Sequence, residues 1–325
     1  MLSYQDIYII KSKKYGDKMT RLFVIGNGFD IAHGLDTSFE DFKSYILSNI
    51  ERHDDKSGKF NSEMLKDLYL FLTYAEASYN IDYYTYTEDI SKEWNQFETM
   101  LAYTPTFNVN NKFMQKDILG NSILSEREIE NLYKIFVTWI NSVSTKTKNK
   151  SKIFREEDLL LNFNYTNVVE RNYPIIRKNN MEKIHVNYID GKEQLVYGHN
   201  ENFNKDVDKS KEAIRVTLFA ENLKKSVEQQ LIIKSDFFKK IRIENISEIY
   251  FWGFSLSKID EEYIKHIVEI SRDSLRNIKL CKHQYTTKKD FDNYKNFVDS
   301  INYEQNLNVG LVCFDPYDKE QTLKN

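Results

Sequence analysis

Leu22-Phe-Val-Ile25 is an unbroken apolar run that ends directly in Gly26-Asn-Gly28-Phe-Asp30. A short continuous run bounded by turn residues suits a strand buried on both faces, as in a parallel sheet. Gly26 and Gly28 let the backbone turn sharply and approach whatever sits above the strand end. Gly26 to Ser38 reads as a loop. Ser38 with Asp41 forms a capping box, and Phe39, Phe42, Ile46 and Ile50 then recur at helical spacing. Residues 63–80 and 87–103 also read as helices, the second with an Ile90, Trp94, Phe97, Leu101 stripe. A third capped pattern starts at Ser125 with Glu128 and runs through Ile129, Leu132, Phe136, Trp139 and Val143.

Strand patterns return after this helical stretch. Leu159 to Phe163 is the second buried run, and Ile184 to Ile189 reads as the third strand. Leu195 to Tyr197 is placed to pair with it as a hairpin or sheet edge. Residues 201–240 read as a charged, mobile loop plus a helix at about 207–240. Glu248 to Trp252 is the next strand, followed by Gly253-Phe-Ser-Leu-Ser257 and a helix capped by Ser257 with Asp260. Ile278 to Tyr285 and Val309 to Phe314 read as strands around a helix at 288–301. Strands alternating with helices predict an α/β chain with a Rossmann-like, mostly parallel sheet flanked by helices. A large helical insertion is expected at about 38–145. Residues 19–325 are read as one nucleotide-binding domain, and 1–18 as an extension without an assigned function.

Composition narrows the classes. Hydrophobic residues are 41% and charged residues 29% of 325, which suits an ordinary globular chain. No apolar run approaches the length of a membrane span, and the first residues lack a secretory pattern, so no membrane partner and a cytoplasmic location are expected. Cys281 and Cys313 are the only cysteines, too few for a disulfide framework or a Cys-rich zinc site. The net charge of −3, with Lys and Glu intermixed, makes a nucleic-acid partner a poor expectation. Only ten glycines occur, and Gly26, Gly28, Gly34, Gly191, Gly198 and Gly253 fall in the stretches singled out here, most of them at strand ends. Nothing in the sequence locates an interface, although a homo-oligomer is compatible with its many aromatic residues.

The chemistry-bearing residues gather at those strand ends, where open α/β sheets bind ligands. Asn27, Phe29 and Asp30 follow the first strand. Asn164-Tyr-Thr166-Asn167 follows the second, and its short polar side chains could hydrogen-bond sugar hydroxyls or simply form an Asx-turn before a helix. Both readings stay open. Asp190-Gly191 follows the third strand, and Gly198-His199 follows the short strand after it. Gly253 and Ser255 offer backbone N–H groups where the next helix begins, with Asp260 close by. His33 fits a backbone hydrogen bond better than a ligand contact. The third glycine of a Gly-x-Gly-x-x-Gly dinucleotide fingerprint is Ile31 here, which argues against an ordinary hydride-transfer enzyme.

These segments together resemble the AbiH-type bacterial abortive-infection family. The likeness rests on Phe23-Val-Ile-Gly-Asn-Gly-Phe-Asp-Ile-Ala-His-Gly34, on Trp94 with Phe97-Glu98, and on Asn162-Phe-Asn-Tyr-Thr166. It continues in the Gly191 to His199 segment and in Gly253-Phe-Ser-Leu followed by Asp260. The family looks related to the sirtuin-like NAD-binding fold, which implies NAD or a related nucleotide as ligand or substrate. In that case Gly26, Asn27, Gly28, Phe29 and Asp30 form the phosphate-side loop, and Asn164 addresses the nicotinamide ribose. Thr166, Gly253, Ser255 and Asp260 line the remaining nucleotide site. The likeness also implies cell suicide by NAD loss, released by a phage-derived trigger. Relatives often carry His-Gly where this chain has Asp190-Gly191, so Asp190, His199 or His185 is the candidate base.

Three functions are consistent with these residues. The first is hydrolysis of the nicotinamide–ribose bond by Asn164 with Asp190 or His199, through an oxocarbenium-like centre. The second is nucleotide sensing without turnover, motivated by Asp190. The third is a metal-dependent nuclease or phosphohydrolase built from Asp30, Asp190, His199 and Asp260, for which no tight ligand spacing speaks.

Overall fold

The computed structural model describes residues 20–51, 60, 62–66, 68–70, 72–73, 126–143, 147, 151–189, 192–196, 226–282 and 288–318. The central strand β1 (Thr20–Ile25) lies between β2 (Leu159–Asn162) and β6 (Ile246–Trp252), all parallel. β3 (Met181–Lys183) extends the sheet beyond β2, while β7 (Asn277–Cys281) and β8 (Gly310–Phe314) extend it beyond β6. The spatial order β3-β2-β1-β6-β7-β8 becomes 3-2-1-4-5-6 when these six strands are counted along the chain. That is a doubly wound order, and it places a topological switch point between β1 and β6.

A parallel sheet has to be covered on both faces, which is why its strands are continuous apolar runs. Alternate residues of each strand serve opposite faces. On one face Leu22, Val24, Leu161, Ile249, Phe251 and Leu280 pack against helical residues such as Phe238, Ile241, Ile264, Ile267 and Val298. These come from α5 (Val227–Ile233), α6 (Ser235–Glu244), α7 (Lys258–Ser271) and α8 (Lys288–Gln305). On the other face Phe23, Ile25, Leu160, Tyr250 and Trp252 meet Phe29, Phe154, Val168, Val169 and Tyr173. Here the cover is α1 (Asn27–Ala32), α4 (Val168–Asn172) and the irregular chain before β2.

The described part of the helical insertion has its own core. Phe39, Phe42 and Ile46 of α2 (Phe39–Glu51) meet Leu65, Leu68 and Leu72, and Leu132, Ile135, Phe136 and Trp139 of α3 (Glu126–Ser142). The expected capping box is present: the Ser38 N–H donates to the Asp41 carboxylate at 2.8 Å, and the Asp41 N–H to Ser38 Oγ at 3.1 Å. Among the described residues no helix is long and apolar enough to cross a membrane.

Several boundaries differ from the sequence reading. The stretch after Gly26 is not all loop, because Asn27–Ala32 closes a short helix despite its glycine. The sheet's third strand is the polar Met181–Lys183, which as an edge needs no apolar pattern. The apolar run after it turns at Ile184 and His185, then forms β4 (Val186–Ile189) in an antiparallel hairpin with β5 (Lys192–Leu195). The expected helix at 207–240 is represented by α5 and α6, which separate at Lys234. β7 stops at Cys281 instead of Tyr285, and α8 continues past 301 to Gln305. Trp94, Phe97, Glu98 and Ser125 lie outside the described residues, as do Asp190, Gly191, Gly198 and His199.

Candidate functional site

The β1 and β6 loops meet at the switch point and are locked together by backbone. The Gly26 N–H donates to the Trp252 carbonyl at 3.2 Å, and the Gly28 N–H to the Gly253 carbonyl at 2.9 Å. A Cβ on Gly26 would lie 2.6 Å from the Gly253 carbonyl oxygen. Gly253 has φ +64°, and a Cβ there would lie 2.0 Å from the Phe29 nitrogen. Both glycines are therefore required by the approach of one loop to the other. Asn27, Gly28, Gly253 and Ser255 are half-buried at this junction, and Phe29 is fully buried beneath it.

Asp30 hangs from α1 toward the loop after β2 and is only 1% exposed. Thr166 Oγ1 donates to its Oδ2 at 2.6 Å, and Asn164 Nδ2 donates to its Oδ1 at 3.0 Å. Burial pushes the Asp30 carboxyl up to about 7, against the pull of the Thr166 hydroxyl, the Lys183 ammonium and the Asn164 amide. Lys183 binds the Thr166 carbonyl at 2.9 Å and Asn167 Oδ1 at 2.7 Å. The expected Asx-turn cap is not formed: Asn167 at the start of α4 makes no side-chain cap bond, and the local turn bond comes instead from Asn162, whose Oδ1 accepts from the Asn164 N–H at 2.8 Å. Asn164 is 4% exposed, and its Oδ1 has no hydrogen-bond partner among the described residues. A buried acceptor without a donor is costly, and such atoms call for a specific explanation.

His185, in the turn after β3, is buried beside the same loop. Its ring lies 4.9 Å from that of Tyr165 and 5.7 Å, edge on, from that of Phe163. Its Nε2 is 4.0 Å from Asp260 Oδ1. Asp260 itself belongs to the start of α7, where its N–H donates to Ser257 Oγ at 3.3 Å, the expected cap. The ends of β1, β2, β3 and β6 thus gather Asp30, Asn164, Thr166, His185 and Asp260 with the Gly26 and Gly253 loops. Among the described residues, no group of three or more His, Cys, Asp or Glu could hold a metal ion.

His33 makes the backbone contact its position suggested. Its Nδ1–H donates to the Phe29 carbonyl at 2.7 Å, and its Nε2 accepts from the Tyr173 hydroxyl. Burial lowers the His33 pKa against that backbone bond and raises that of Tyr173 to about 12, so the pair is neutral. Tyr173 and Lys183 were not singled out in the sequence. Each acts on a residue distant along the chain or sits in a polar stretch without periodicity, so no local signal marks them.

Residues 22–282 match the family model described as bacteriophage abortive infection AbiH. No curated protein and no solved structure matches the chain.

Proposed function

The chain belongs to the bacteriophage abortive infection AbiH family, and on that premise we propose that it serves abortive infection by binding NAD at the β1/β6 switch point and hydrolysing its nicotinamide–ribose bond. The observation that carries this reading is the unpartnered Oδ1 of buried Asn164, an acceptor that a ribose hydroxyl would satisfy. It stands beside Asp30, whose pKa of about 7 lets it hold or release a proton at neutral pH. Asn27 and Ser255, half-buried where the two glycine loops join, supply polar contacts to the phosphates. The Gly28 N–H is directed to Gly253, so it serves the loop junction.

In the proposed reaction the C1′–N bond breaks and nicotinamide leaves with the bonding pair, as a neutral molecule. A water oxygen bonds to C1′, and its proton passes to a base. Asp30, His185, Asp190 and His199 are the candidates for that base, and Asp260 Oδ1 lies 4.0 Å from His185 Nε2. The test is nicotinamide release from NAD by purified protein, with and without phage-infected lysate. Asn164→Ala is expected to lower turnover at least about 100-fold, as loss of one transition-state contact does, with the fold retained. Unchanged turnover in that variant would remove Asn164 from the reaction.

A second reading, sensing without turnover, is favoured by the closed arrangement at Asp30, where Asn164 and Thr166 both donate to one carboxylate. Saturable NAD binding with no nicotinamide release in either condition would select it. Absence of both binding and release would overturn the two readings together.

A further inference from the structure

The two edges of the sheet are finished differently. β3 has three residues, two of them charged, and Glu182 is tied to Lys234 at 2.8 Å. Short, charged edges resist pairing with another chain. β8 runs Gly-Leu-Val-Cys-Phe with no charge and no proline, and its only described neighbour is β7. Val312 is 43% exposed and Cys313 is exposed.

The ladder fixes which backbone groups are open. The Gly310 N–H donates to the Arg276 carbonyl, and the Phe314 carbonyl accepts from the Lys282 N–H, both at 2.9 Å. In a parallel pair, alternate residues face one neighbour, so 310, 312 and 314 face β7. The N–H and C=O of Leu311 and of Cys313 face outward. The positions on either side are closed: Asn302 bonds both the N–H and the carbonyl of Val309, at 2.9 and 3.1 Å. At the other end the Asp315 carbonyl accepts from the Asp318 N–H at 3.3 Å, and Pro316 has no N–H to give.

We propose that β8 is a homodimerisation edge, pairing antiparallel with β8 of a second copy about a two-fold axis at Val312. In that register Leu311 faces Cys313 of the second copy, and the reverse holds across the axis. Both outward N–H groups and both outward carbonyls of each strand are then satisfied, four bonds in all. Shifting the axis by one residue either way sets an open residue against Val309, whose N–H and carbonyl are both engaged, or against Asp315, whose carbonyl is engaged. A two-fold dimer requires one self-complementary patch, and Leu311 and Cys313, set evenly about Val312 with engaged positions on either side, provide it. The proposal does not depend on the nucleotide reading.

The register makes a specific test. Val312 would face its own copy in a non-hydrogen-bonded pair, with Cα atoms about 4.5 Å apart, inside the range that a disulfide spans. Cys313 would face its copy only diagonally, at about 7–8 Å, beyond easy bridging. Sedimentation of the full chain is expected to give twice 38.8 kDa. Under mild oxidation Val312→Cys is expected to cross-link at least about tenfold faster than the wild type, whose Cys313 stays mostly unlinked. Val312→Lys is expected to yield a monomer whose denaturation midpoint equals that of the wild type diluted until it too is monomeric, since the side chain is exposed. A monomer at every concentration, whether because the chain's own end covers β8 or for another reason, overturns the proposal. So does a dimer that Val312→Lys leaves intact, or one in which wild-type Cys313 cross-links as fast as the variant.

Discussion

Asp30→Asn is expected to stabilise the protein above neutral pH, although it removes a residue from the candidate site. Asp30 is 1% exposed and its carboxyl is pushed up to about 7 from an ordinary 3.8, with burial as the largest cause. The native state therefore holds the proton that the unfolded state releases between those values. Linkage gives the sign: this group's stabilising contribution is fully present below about pH 3.8 and is lost as pH rises through about 7. A displacement of about 3 units at 1.36 kcal/mol each makes the charged form about 4 kcal/mol worse in the fold. Between pH 5 and pH 8 the wild type should lose about 3 kcal/mol through this group alone. In the variant the Asn164 amide can turn, so that its unpartnered oxygen accepts from the new amide while Thr166 donates to the new carbonyl. Both hydrogen bonds survive without a charge. Urea denaturation at pH 5 and pH 8 reads the effect. The variant should match the wild type within about 1 kcal/mol at pH 5 and exceed it by about 2–4 kcal/mol at pH 8. His33, whose pKa burial depresses, titrates with the opposite sign but is common to both proteins, so the difference between them isolates Asp30. Equal stability of the two proteins at pH 8 would refute the claim that a charge is buried at this position.

Other substitutions test the frame around the site. Gly253→Ala places a Cβ 2.0 Å from the Phe29 nitrogen at a φ of +64°, and should cost at least about 3 kcal/mol. A denaturation midpoint close to wild type would mean that the two loops are not locked. Asp158→Ala leaves Arg21, 5% exposed, without the carboxylate it meets at 2.6 Å, and should cost about 3–5 kcal/mol. Arg21→Met combined with Asp158→Leu should recover most of that loss, whereas a double variant as unstable as the single one would show that the pair's charge itself holds the strand ends.

What could be read in advance follows from which interactions are local. β1, β2 and β6 were legible because strands covered on both faces leave unbroken apolar runs. The caps at Ser38 with Asp41 and at Ser257 with Asp260 were legible because their partners are three residues apart. β3 was not, since an edge strand of Met-Glu-Lys carries no apolar signature, and the run that did carry one, after Ile184, forms the hairpin instead. The strand-end residues were named as ligand contacts, but their mutual arrangement was hidden. Asp30 meets Asn164 across 134 positions, and His33 meets Tyr173 across 140. In the sequence Gly26 marks a sharp turn toward whatever sits above the strand end, and Gly253 a loop that offers backbone N–H groups. The structure shows each making room for the other's loop, a distinction only the tertiary contact can draw.

The two ends of the sheet treat buried charge in opposite ways, and that contrast is the strongest physical argument for where the site lies. Toward the start of the strands, Arg21 donates to both oxygens of Asp158 and to the Ile153 carbonyl. Glu248 is met there by Lys279 at 2.7 Å and by the Tyr250 hydroxyl at 2.9 Å. These charges are balanced by opposite charges, as a stable interior demands. At the far end, Asp30 is as deeply buried but receives only two neutral donors, while the Lys183 ammonium is bonded to Thr166 and Asn167. Beside it Asn164 Oδ1 and Asn162 Nδ2 are buried without partners among the described residues. One sheet with one set of flanking helices can pair its buried charges, as the first end demonstrates. Leaving buried polar groups unsatisfied where a doubly wound sheet binds its ligand is what local rules give up when a site is retained for its chemistry. The expected gain in stability from Asp30→Asn, set against the expected loss of turnover from Asn164→Ala, measures the two sides of that conflict at neighbouring atoms.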